Sequence, residues 1–438
     1  MDFMKKAVAL FLTVGMLLGL LSGCGDSLLS ADHPVTLTMW HVYGEQSGSP
    51  MDVLVDEFNE TVGQENGIII EVTNMSNSTD IGQKLLDAQK GNPGAMDMPD
   101  LFTCHPSNAV ALGTENLLDW STVLQQETLD TFVPEFLEDG TIEGQLSVLP
   151  LSKSTHLIMM CGTAFDRFAA DTGVTGDSLA TWDGFFEVAE RYYEWSGGKT
   201  FCSLDYLIRA VELYAMELGG SDFYTEDGWY RSDNEILKES WLRFTSAIAK
   251  GHIMVSDLYS NTQVMTGEVV CGIGSSAAIL YYNDTVTYAD GTSEPMNFTA
   301  LPMPVVSGAT PLMTQAGVGL SAYKTTEEKA AAAGVFAQWL TESQRNLNFV
   351  AETGYMPVKK ESTDHIANYS FTSPDYTELY TTLGTMLKDY TALSEPQFLG
   401  YYDKVYALYE ELRERQKNPG EDPQTFAQDS WELLCSLS

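Results

Sequence analysis

The sequence predicts an α/β protein whose chain is divided between two interleaved lobes. In the first third, short apolar strands alternate with polar loops and amphipathic helices, which is typical of a mainly parallel sheet covered by helices. Beyond Pro150 long helical segments dominate, and strands return near residues 270 and 320. No low-complexity linker separates two continuous domains in this chain of 438 residues. We therefore expect the chain to cross between lobes near residues 150, 303 and 356.

The first strand–loop–helix unit spans Leu37–Glu60. The strand Leu37–Trp40 runs into a polar loop, and Pro50 stands where the first turn of a helix accepts proline, with Ser49 as candidate N-cap. Open α/β sheets bind small molecules beyond the carboxyl ends of their strands, so this unit predicts a ligand-binding edge. The next predicted elements are strands Ile68–Val72 and Leu101–Thr103, helices from Ile81 and Pro106, and a hairpin over Gly140–Leu149 turning at Glu143-Gly144.

The remaining elements are mainly helical. Thr181 is a predicted N-cap, and Asp183 lies in the first turn of its helix, where the helix dipole favours an acid. The other predicted elements are helices over 205–218, 233–250, 277–282 and 326–340, strands Glu268–Gly272 and Gly317–Ala322, and a last helix beginning near Asp422-Pro423.

Composition and charge argue against several classes of function. Apolar residues make up 44% of the chain, enough for sizeable cores. The 61 acidic and 23 basic residues give a formal net charge of −38, which argues against nucleic acid and anionic lipid as partners. The motifs HExxH, GxSxG and the P-loop are absent and the six histidines show no metal-ligand spacing, so we predict no catalytic residue, metal or cofactor.

The N-terminus has the pattern of an export signal. Two lysines precede the apolar run Ala7–Leu21, which is short for a membrane span. The run ends in Leu21-Ser22-Gly23-Cys24, which resembles a bacterial lipobox. We therefore predict a lipoprotein signal peptide over residues 1–24, lipidation at Cys24 and a tether over residues 25–34. The five later cysteines have no CxxC pair and are odd in number, so we expect buried free thiols.

Several stretches, in this order over most of the chain, resemble one protein family. They are TMWHVYG with VDEFNE, MPDLF, IEGQLSVLPLSKST, TWDGFFEVAE, TGEVVCGIGSSAA, LPMP, GVGLSAYKTTEEKAAAAGVFAQWLT and GYMPV. Together they are similar to the family 1 extracellular solute-binding proteins of bacterial ABC importers. The resemblance implies a type II periplasmic-binding-protein-like fold, in which two lobes close on a solute by a hinge. It also implies delivery of the solute to a membrane permease at the outer face of the cell membrane.

The resemblance and the crossings together predict how the chain is divided. Residues 35–150 and 304–355 are expected to form lobe 1, and residues 151–303 and 356–438 lobe 2. A sugar or oligosaccharide is the expected solute, and a glycerol-phosphate-like polyol phosphate is the alternative. Two other classes remain open. One is a lipid-anchored carbohydrate-active enzyme, whose carboxylate pair could lie among so many acids. The other is a lipoprotein with only a structural or partner-binding role.

Candidate ligand-binding residues of lobe 1 follow its predicted strands. Trp40 ends the first strand and is a candidate ring for stacking on a sugar, or else a core residue. The polar residues that follow these strands are candidates for hydrogen bonds to solute hydroxyls. Alternatively, the same residues cap helices and form turns. These polar candidates are His41 and Glu45 after the first strand, Asn74, Ser76 and Asn77 after the second, and Ser107 with Asn108 after the third.

The remaining candidates lie at the crossings and in lobe 2. Lys153 and Ser154 are at the first crossing, where the resemblance implies a cleft floor. Lys153 is expected to pair with a carboxylate of the cleft rather than with a phosphate or carboxylate of the solute. Trp229, in a polar loop, is a candidate stacking ring. Gly272–Ala277 fits G-x-G-x-x-A outside a convincing βαβ unit, so it predicts solute contacts rather than a nucleotide site. The last candidates are Ser275, Ser276, Gly317 and Tyr355.

Overall fold

The computed structural model describes residues 28–44, 49–75, 78–256, 259–351, 353–366, 368–371, 373–398, 400–417 and 420–437. The predicted signal peptide, Cys24 and the first residues of the tether lie outside these ranges. Within them, no helix is both long and apolar enough to cross a membrane.

Strands of the described residues are short, and most belong to two five-stranded sheets. They are β1 Val35–His41, β2 Ile68–Asn74, β3 Leu101–Cys104, β4 Thr141–Ile142, β5 Gln145–Leu146, β6 Leu149–Pro150, β7 His156–Cys161, β8 Cys202–Leu204, β9 Ile253–Val255, β10 Cys271–Ser275, β11 Thr285–Thr287, β12 Ser293–Pro295, β13 Phe298–Leu301, β14 Leu312–Thr314, β15 Gly319–Ala322 and β16 Thr391–Leu393.

Helices cover both sheets. The α-helices are Pro50–Phe58, Gln64–Asn66, Ser78–Lys90, Pro106–Leu112, Gln126–Leu129, Pro134–Asp139, Gly162–Thr172, Trp182–Ser196, Leu207–Glu217, Glu235–Ala249, Ser260–Met265, Glu327–Leu340, Ser343–Ala351, Lys360–Ile366, Pro374–Asp389, Tyr401–Gln416 and Pro423–Ser436. Short 3₁₀ segments occupy Thr114–Asn116, Trp120–Thr122, Gly176–Leu179 and Ser276–Tyr281, and Asn59–Gly63 is a π-turn.

The sheet of lobe 1 has the order β2-β1-β3-β15-β6. Strand β1 is parallel to β2 and β3, and β15 is antiparallel to β3 and β6. In β1 the side chains of Leu37 and Met39 enter one core, whereas Trp40 packs with Phe102 in a second. The carboxyl ends of β1, β2 and β3 consequently meet at one edge of this sheet.

The sheet of lobe 2 has the order β13-β7-β10-β8-β9. Strand β10 is parallel to β8 and antiparallel to β7, and β8 is parallel to β9. Every residue of β7 is buried, as expected for a central strand with both faces covered. The carboxyl ends of β8, β9 and β10 therefore lie at the same edge as the start of β7. The mixed sheets and their helices confirm the predicted two-lobe α/β fold.

Two chain crossings join the lobes through backbone hydrogen bonds. Lys153 N–H donates to the carbonyl of Met356 at 3.2 Å, and Ser154 exchanges two bonds of 2.9 Å with Ala316. Nearby, β14 pairs in parallel with β16, outside the two large sheets. The strands between the lobes are thus tied side by side, which suits a hinge.

Most predicted elements are observed, and the differences have local causes. Thr181 caps its helix by accepting from Gly184 N–H. The hairpin turns at Glu143-Gly144, and both of these residues have a positive φ. Ser49 precedes the predicted helix but makes no capping bond. The segment predicted as a helix over 277–282 is a 3₁₀ turn over Ser276–Tyr281 instead.

Residues 359–366 pack against the first third of the chain and against the helix Ser343–Ala351. Lys359 forms a β-bridge with Phe132, and the helix Lys360–Ile366 packs on the helix Ser343–Ala351. That helix in turn packs on lobe 1, because the ring of its Phe349 meets Tyr43 edge to face, with centroids 5.1 Å apart. The five cysteines of the described residues are free, and four of them are buried, as predicted.

Candidate functional site

The carboxyl edges of the two sheets meet at a cluster of side chains that we call the inter-lobe surface. Its members come from five separate segments. They are His105 after β3, His156 at the start of β7, Tyr206 after β8, Glu395 after β16, and Tyr402 and Tyr406 on the helix Tyr401–Gln416.

Aromatic rings form one side of the inter-lobe surface. The rings of His156 and Tyr206 stack with centroids 4.9 Å apart and an interplanar angle of 10°. Tyr206 is hydrogen-bonded to Tyr406, whose side chain is half exposed, and Tyr259 next to it is 70% exposed. Flat rings with hydroxyl rims offer an apolar face and polar edges to a ligand.

Polar groups from both lobes complete the surface. The Nδ1 atom of His105 lies 3.8 Å from an oxygen of Glu395, and the ring centroids of His105 and Tyr402 are 6.5 Å apart. Burial raises the pKa of the Tyr402 phenol, and the neighbouring Glu395 carboxylate, to which the phenol is hydrogen-bonded, adds to this effect. His105 belongs to lobe 1 and Tyr402 to lobe 2, so the two lobes approach each other here.

Burial favours the uncharged forms of two groups in this region, His156 and Asp205. It lowers the pKa of His156 to about 3, with help from the neighbouring Arg209 cation, so the imidazole is uncharged at physiological pH. It raises the pKa of Asp205, at the end of β8, to about 7, although Ser260 donates to this carboxylate from its N–H at 2.7 Å and its hydroxyl at 3.1 Å. The described residues contain no group of three or more ligands that could hold a metal ion.

Trp40 and His41, predicted from the end of β1, are buried. Trp40 is 3% exposed and packs in the core of lobe 1. His41 is fully buried; its Nε2 atom is 2.9 Å from Asp52, and its Nδ1 accepts from Tyr43 N–H at 3.2 Å. Burial lowers the pKa of His41 and the Asp52 carboxylate partly offsets this. These contacts hold the loop after β1 in place.

Other predicted residues of lobe 1 are tied to neighbouring groups or lie outside the described ranges. Asn74 donates to Asp52 at 3.1 Å, and Asn108 accepts from His105 N–H at 3.2 Å. Ser107 is half buried in the first turn of the helix Pro106–Leu112. Glu45, Ser76 and Asn77 lie outside the described residues.

Lys153 and Ser154 are both buried at the hinge. The Lys153 ammonium forms an ion pair with Asp139, and both side chains are almost fully buried. This cation is therefore already paired with a carboxylate of the protein. Gly317, beside them, has a φ of +115°, and a Cβ atom there would lie 2.8 Å from the Ser152 carbonyl, so glycine is required.

Trp229 lies inside lobe 2, which differs from its predicted place at a ligand surface. The side chain is 1% exposed, and its indole N–H donates to the Leu434 carbonyl at 2.6 Å. The rings of Tyr230 and Tyr401 pack around it. Protein atoms cover both ring faces in this structure, so no solute can stack there.

The last three predicted residues lie between the hinge and lobe 2. Ser275 accepts from Ala277 N–H at 3.3 Å, and the hydroxyl of the fully buried Ser276 has no hydrogen-bond partner among the described residues. The half-buried Tyr355 meets Tyr43 edge to face, with centroids 6.4 Å apart, and burial raises its pKa to about 12. A neighbouring ring, Tyr281, is 66% exposed.

The inter-lobe surface itself was not predicted from the sequence. His105 is one of six histidines without metal-ligand spacing, and Glu395 is one acid among 61. The signal that could have found the surface is the tyrosine-rich start of a helix, GYYDKVYALY, directly after a turn-rich segment that contains Glu395.

Solved structures with the same fold are ligand-binding proteins of bacteria. One is the cyclic alpha-maltosyl-1,6-maltose binding protein from Arthrobacter globiformis, with a TM-score of 0.70 and 19% identity, covering 92% of this chain and 99% of that one. UgpB from Mycobacterium tuberculosis in complex with glycerophosphocholine has a TM-score of 0.68 and 16% identity, covering 92% and 98%. The ABC substrate-binding protein Lmo0181 from Listeria monocytogenes in complex with cycloalternan has a TM-score of 0.68 and 14% identity, also covering 92% and 98%.

These identities are low, so the three structures support the fold alone. No curated protein sequence matches the chain. The sequence profile of the bacterial extracellular solute-binding proteins, however, matches residues 53–378, which is most of the chain. The protein therefore belongs to this family, and it is a solute-binding protein rather than an enzyme.

Proposed function

We propose that the protein captures a neutral carbohydrate, a sugar or oligosaccharide, at the inter-lobe surface and delivers it to the permease of an ABC importer. One observation carries the proposal: the stacked rings of His156 and Tyr206 lie beside the polar groups of Glu395 and His105, at the meeting of two sheet edges. A pyranose has an apolar C–H face and a rim of hydroxyls, which this combination of rings and polar atoms can satisfy.

The electrostatics of the region favour an uncharged solute over a phosphorylated one. Phosphate recognition needs an available Lys or Arg. Lys153 is paired with Asp139, and Arg209 with Glu212, both inside the protein. A polyol phosphate or its diester, the kind of ligand bound to UgpB, remains the alternative solute.

The proposed cycle uses the hinge. A solute that contacts both lobes stabilises the closed form over the open form, and the closed form then docks on the permease. We also propose that the mature protein is held at the outer face of the cell membrane by a lipid on Cys24, because the lipobox-like sequence directly follows an apolar export signal. Replacing Cys24 by Ser should release the protein into the medium and abolish labelling with radioactive palmitate; unchanged labelling would contradict the anchor.

Calorimetric titration of residues 25–438 with maltose, maltotriose, cycloalternan and glycerophosphocholine tests the carbohydrate proposal. At least one of the three sugars should bind, and Tyr402→Ala should weaken its binding about tenfold or more, because a ring contact and the Glu395 bond are both lost. Tyr193→Ala is the matched control, since Tyr193 packs on His252 at the opposite edge of the lobe 2 sheet. Binding of glycerophosphocholine alone would favour the alternative solute.

A further inference from the structure

His105 and Glu395 approach each other across the lobe boundary without forming a hydrogen bond. The separation between His105 Nδ1 and Glu395 Oε2 is 3.8 Å, beyond hydrogen-bonding distance. Their side chains are 26% and 14% exposed, so bulk water reaches them poorly. The Nδ1 atom is buried and has no hydrogen-bond partner among the described residues. A buried ring nitrogen without a partner is costly unless a ligand or water supplies one.

The two residues are held by different segments of the fold. His105 directly follows β3, and its N–H is bonded to Asn108 in the next helix. Glu395 follows Ser394, whose carbonyl accepts from Arg209 at 2.9 Å in lobe 2. Two residues further on, Gln397 donates to the Asp139 carbonyl at 2.6 Å, so the segment of Glu395 is bonded to both lobes. A group that bonds to both His105 and Glu395 therefore links the end of β3 to this segment between the lobes.

The charges around the pair define what that group can be. Glu395 also lies beside the phenols of Tyr402, Tyr206 and Tyr406, and Tyr402 is hydrogen-bonded to it. The guanidinium of Arg209, which donates to the Ser394 carbonyl, is paired with Glu212. Glu395 can only accept hydrogen bonds, whereas His105 Nδ1 can donate in one tautomer. A hydroxyl satisfies both atoms because it donates and accepts, whereas an ether oxygen cannot donate and a phosphate oxygen is repelled by the carboxylate.

We propose that His105 and Glu395 form a clamp that reads one free hydroxyl of the solute and makes lobe closure depend on it. The inference rests on the proposed function, because it needs a hydroxylated solute at the inter-lobe surface. It assigns the two residues as specificity determinants, one directly after β3 and the other in the segment between the lobes. Solutes whose hydroxyl at this position is methylated or phosphorylated are rejected at closure.

A double-mutant cycle on affinity tests the clamp. The probe is the tightest binder among maltose, maltotriose and cycloalternan, and the variants are Glu395→Gln, His105→Leu and the double variant. We expect each single variant to weaken binding about tenfold and the double variant to be hardly weaker than either, because both residues hold the same hydroxyl. Fully additive losses would overturn the clamp, as would unchanged affinity in both single variants.

Closure is measured separately, as the decrease in radius of gyration by small-angle X-ray scattering at saturating probe. Wild type should contract, whereas Glu395→Gln should contract less even when saturated, and His105→Gln, which keeps an N–H donor, should recover part of the contraction. Equal contraction in all variants would overturn the clamp and leave carbohydrate binding intact. If wild type binds none of the three sugars, the proposed function fails and the clamp fails with it.

Discussion

The two facing sheet edges use their polar and aromatic residues in opposite ways. At the edge of lobe 1 His41 is bonded to Asp52, and at the neighbouring hinge Lys153 is paired with Asp139, so these side chains hold the backbone in place. At the edge of lobe 2, the rings of Tyr206 and Tyr406 remain partly accessible. We therefore propose that lobe 2 supplies most of the binding surface and that lobe 1 supplies scaffold, hinge and a few contacts such as His105.

This comparison separates stability from affinity. Substitution of a residue that is bonded inside lobe 1 or at the hinge should unfold the protein more easily, whatever solute is present. Substitution on the inter-lobe surface should change solute binding with little loss of stability, because partly exposed side chains contribute less to folding.

The largest expected effect is at the hinge. Lys153→Met leaves the Asp139 carboxylate buried without its cation, which should lower the free energy of unfolding by about 3–5 kcal/mol. Urea denaturation of residues 25–438 measures this loss. The control is the double variant Lys153→Met with Asp139→Leu, which removes both charges and should recover most of the stability. If the single variant is as stable as wild type, the ion pair does not support the hinge.

A somewhat smaller loss of stability should follow substitution of Trp229, inside lobe 2. Trp229→Leu removes part of a buried side chain and leaves the Leu434 carbonyl without its donor, at a cost of about 2–4 kcal/mol. Solute affinity, measured by titration well below the melting temperature, should change less than threefold. A large loss of affinity with unchanged stability would instead restore Trp229 as a ligand-stacking ring and contradict its buried position.

The sequence was sufficient where structure depends on local chemistry. Thr181 caps its helix because a hydroxyl three residues before a free N–H is a local arrangement, and Pro50 begins a helix for a similar reason. The strand predicted over Glu268–Gly272 lies instead over Cys271–Ser275, because its register is set by pairing with the distant strand β7. Such non-local pairing leaves no mark within the segment itself.

The site was less predictable because its members come from distant segments. An aromatic residue in a polar loop suggested exposure for Trp229, yet the last helix covers it. Lys153 was correctly expected to pair with a carboxylate, although nothing in the sequence singles out Asp139. His105 and Glu395 can be recognised as a pair only in the folded protein, where β3 and the segment after β16 lie next to each other.

The smallest expected effect is a pH dependence of stability, caused by Asp205 at the end of β8 in lobe 2. Burial raises the pKa of Asp205 to about 7, above its ordinary value near 4, so the folded protein binds a proton there more tightly than the unfolded chain. The stability contributed by this proton is complete below about pH 4 and is lost as the pH rises through about 7. Between pH 5 and 8, wild type should therefore lose roughly 1–2 kcal/mol relative to Asp205→Asn, after allowance for partial solvation.

Glu217 is the matched control for this comparison, because burial raises its pKa to about 7 as well. It lies away from the end of β8, where it accepts hydrogen bonds from the N–H groups of Val306 and Leu312. The free energy of unfolding, measured by denaturation at several pH values, should depend less on pH in both Asp205→Asn and Glu217→Gln than in wild type. The affinity for a bound sugar should lose its pH dependence only in Asp205→Asn, since that carboxylate adjoins Tyr206 on the inter-lobe surface. An identical pH profile of affinity in both variants would mean that the end of β8 does not take part in binding.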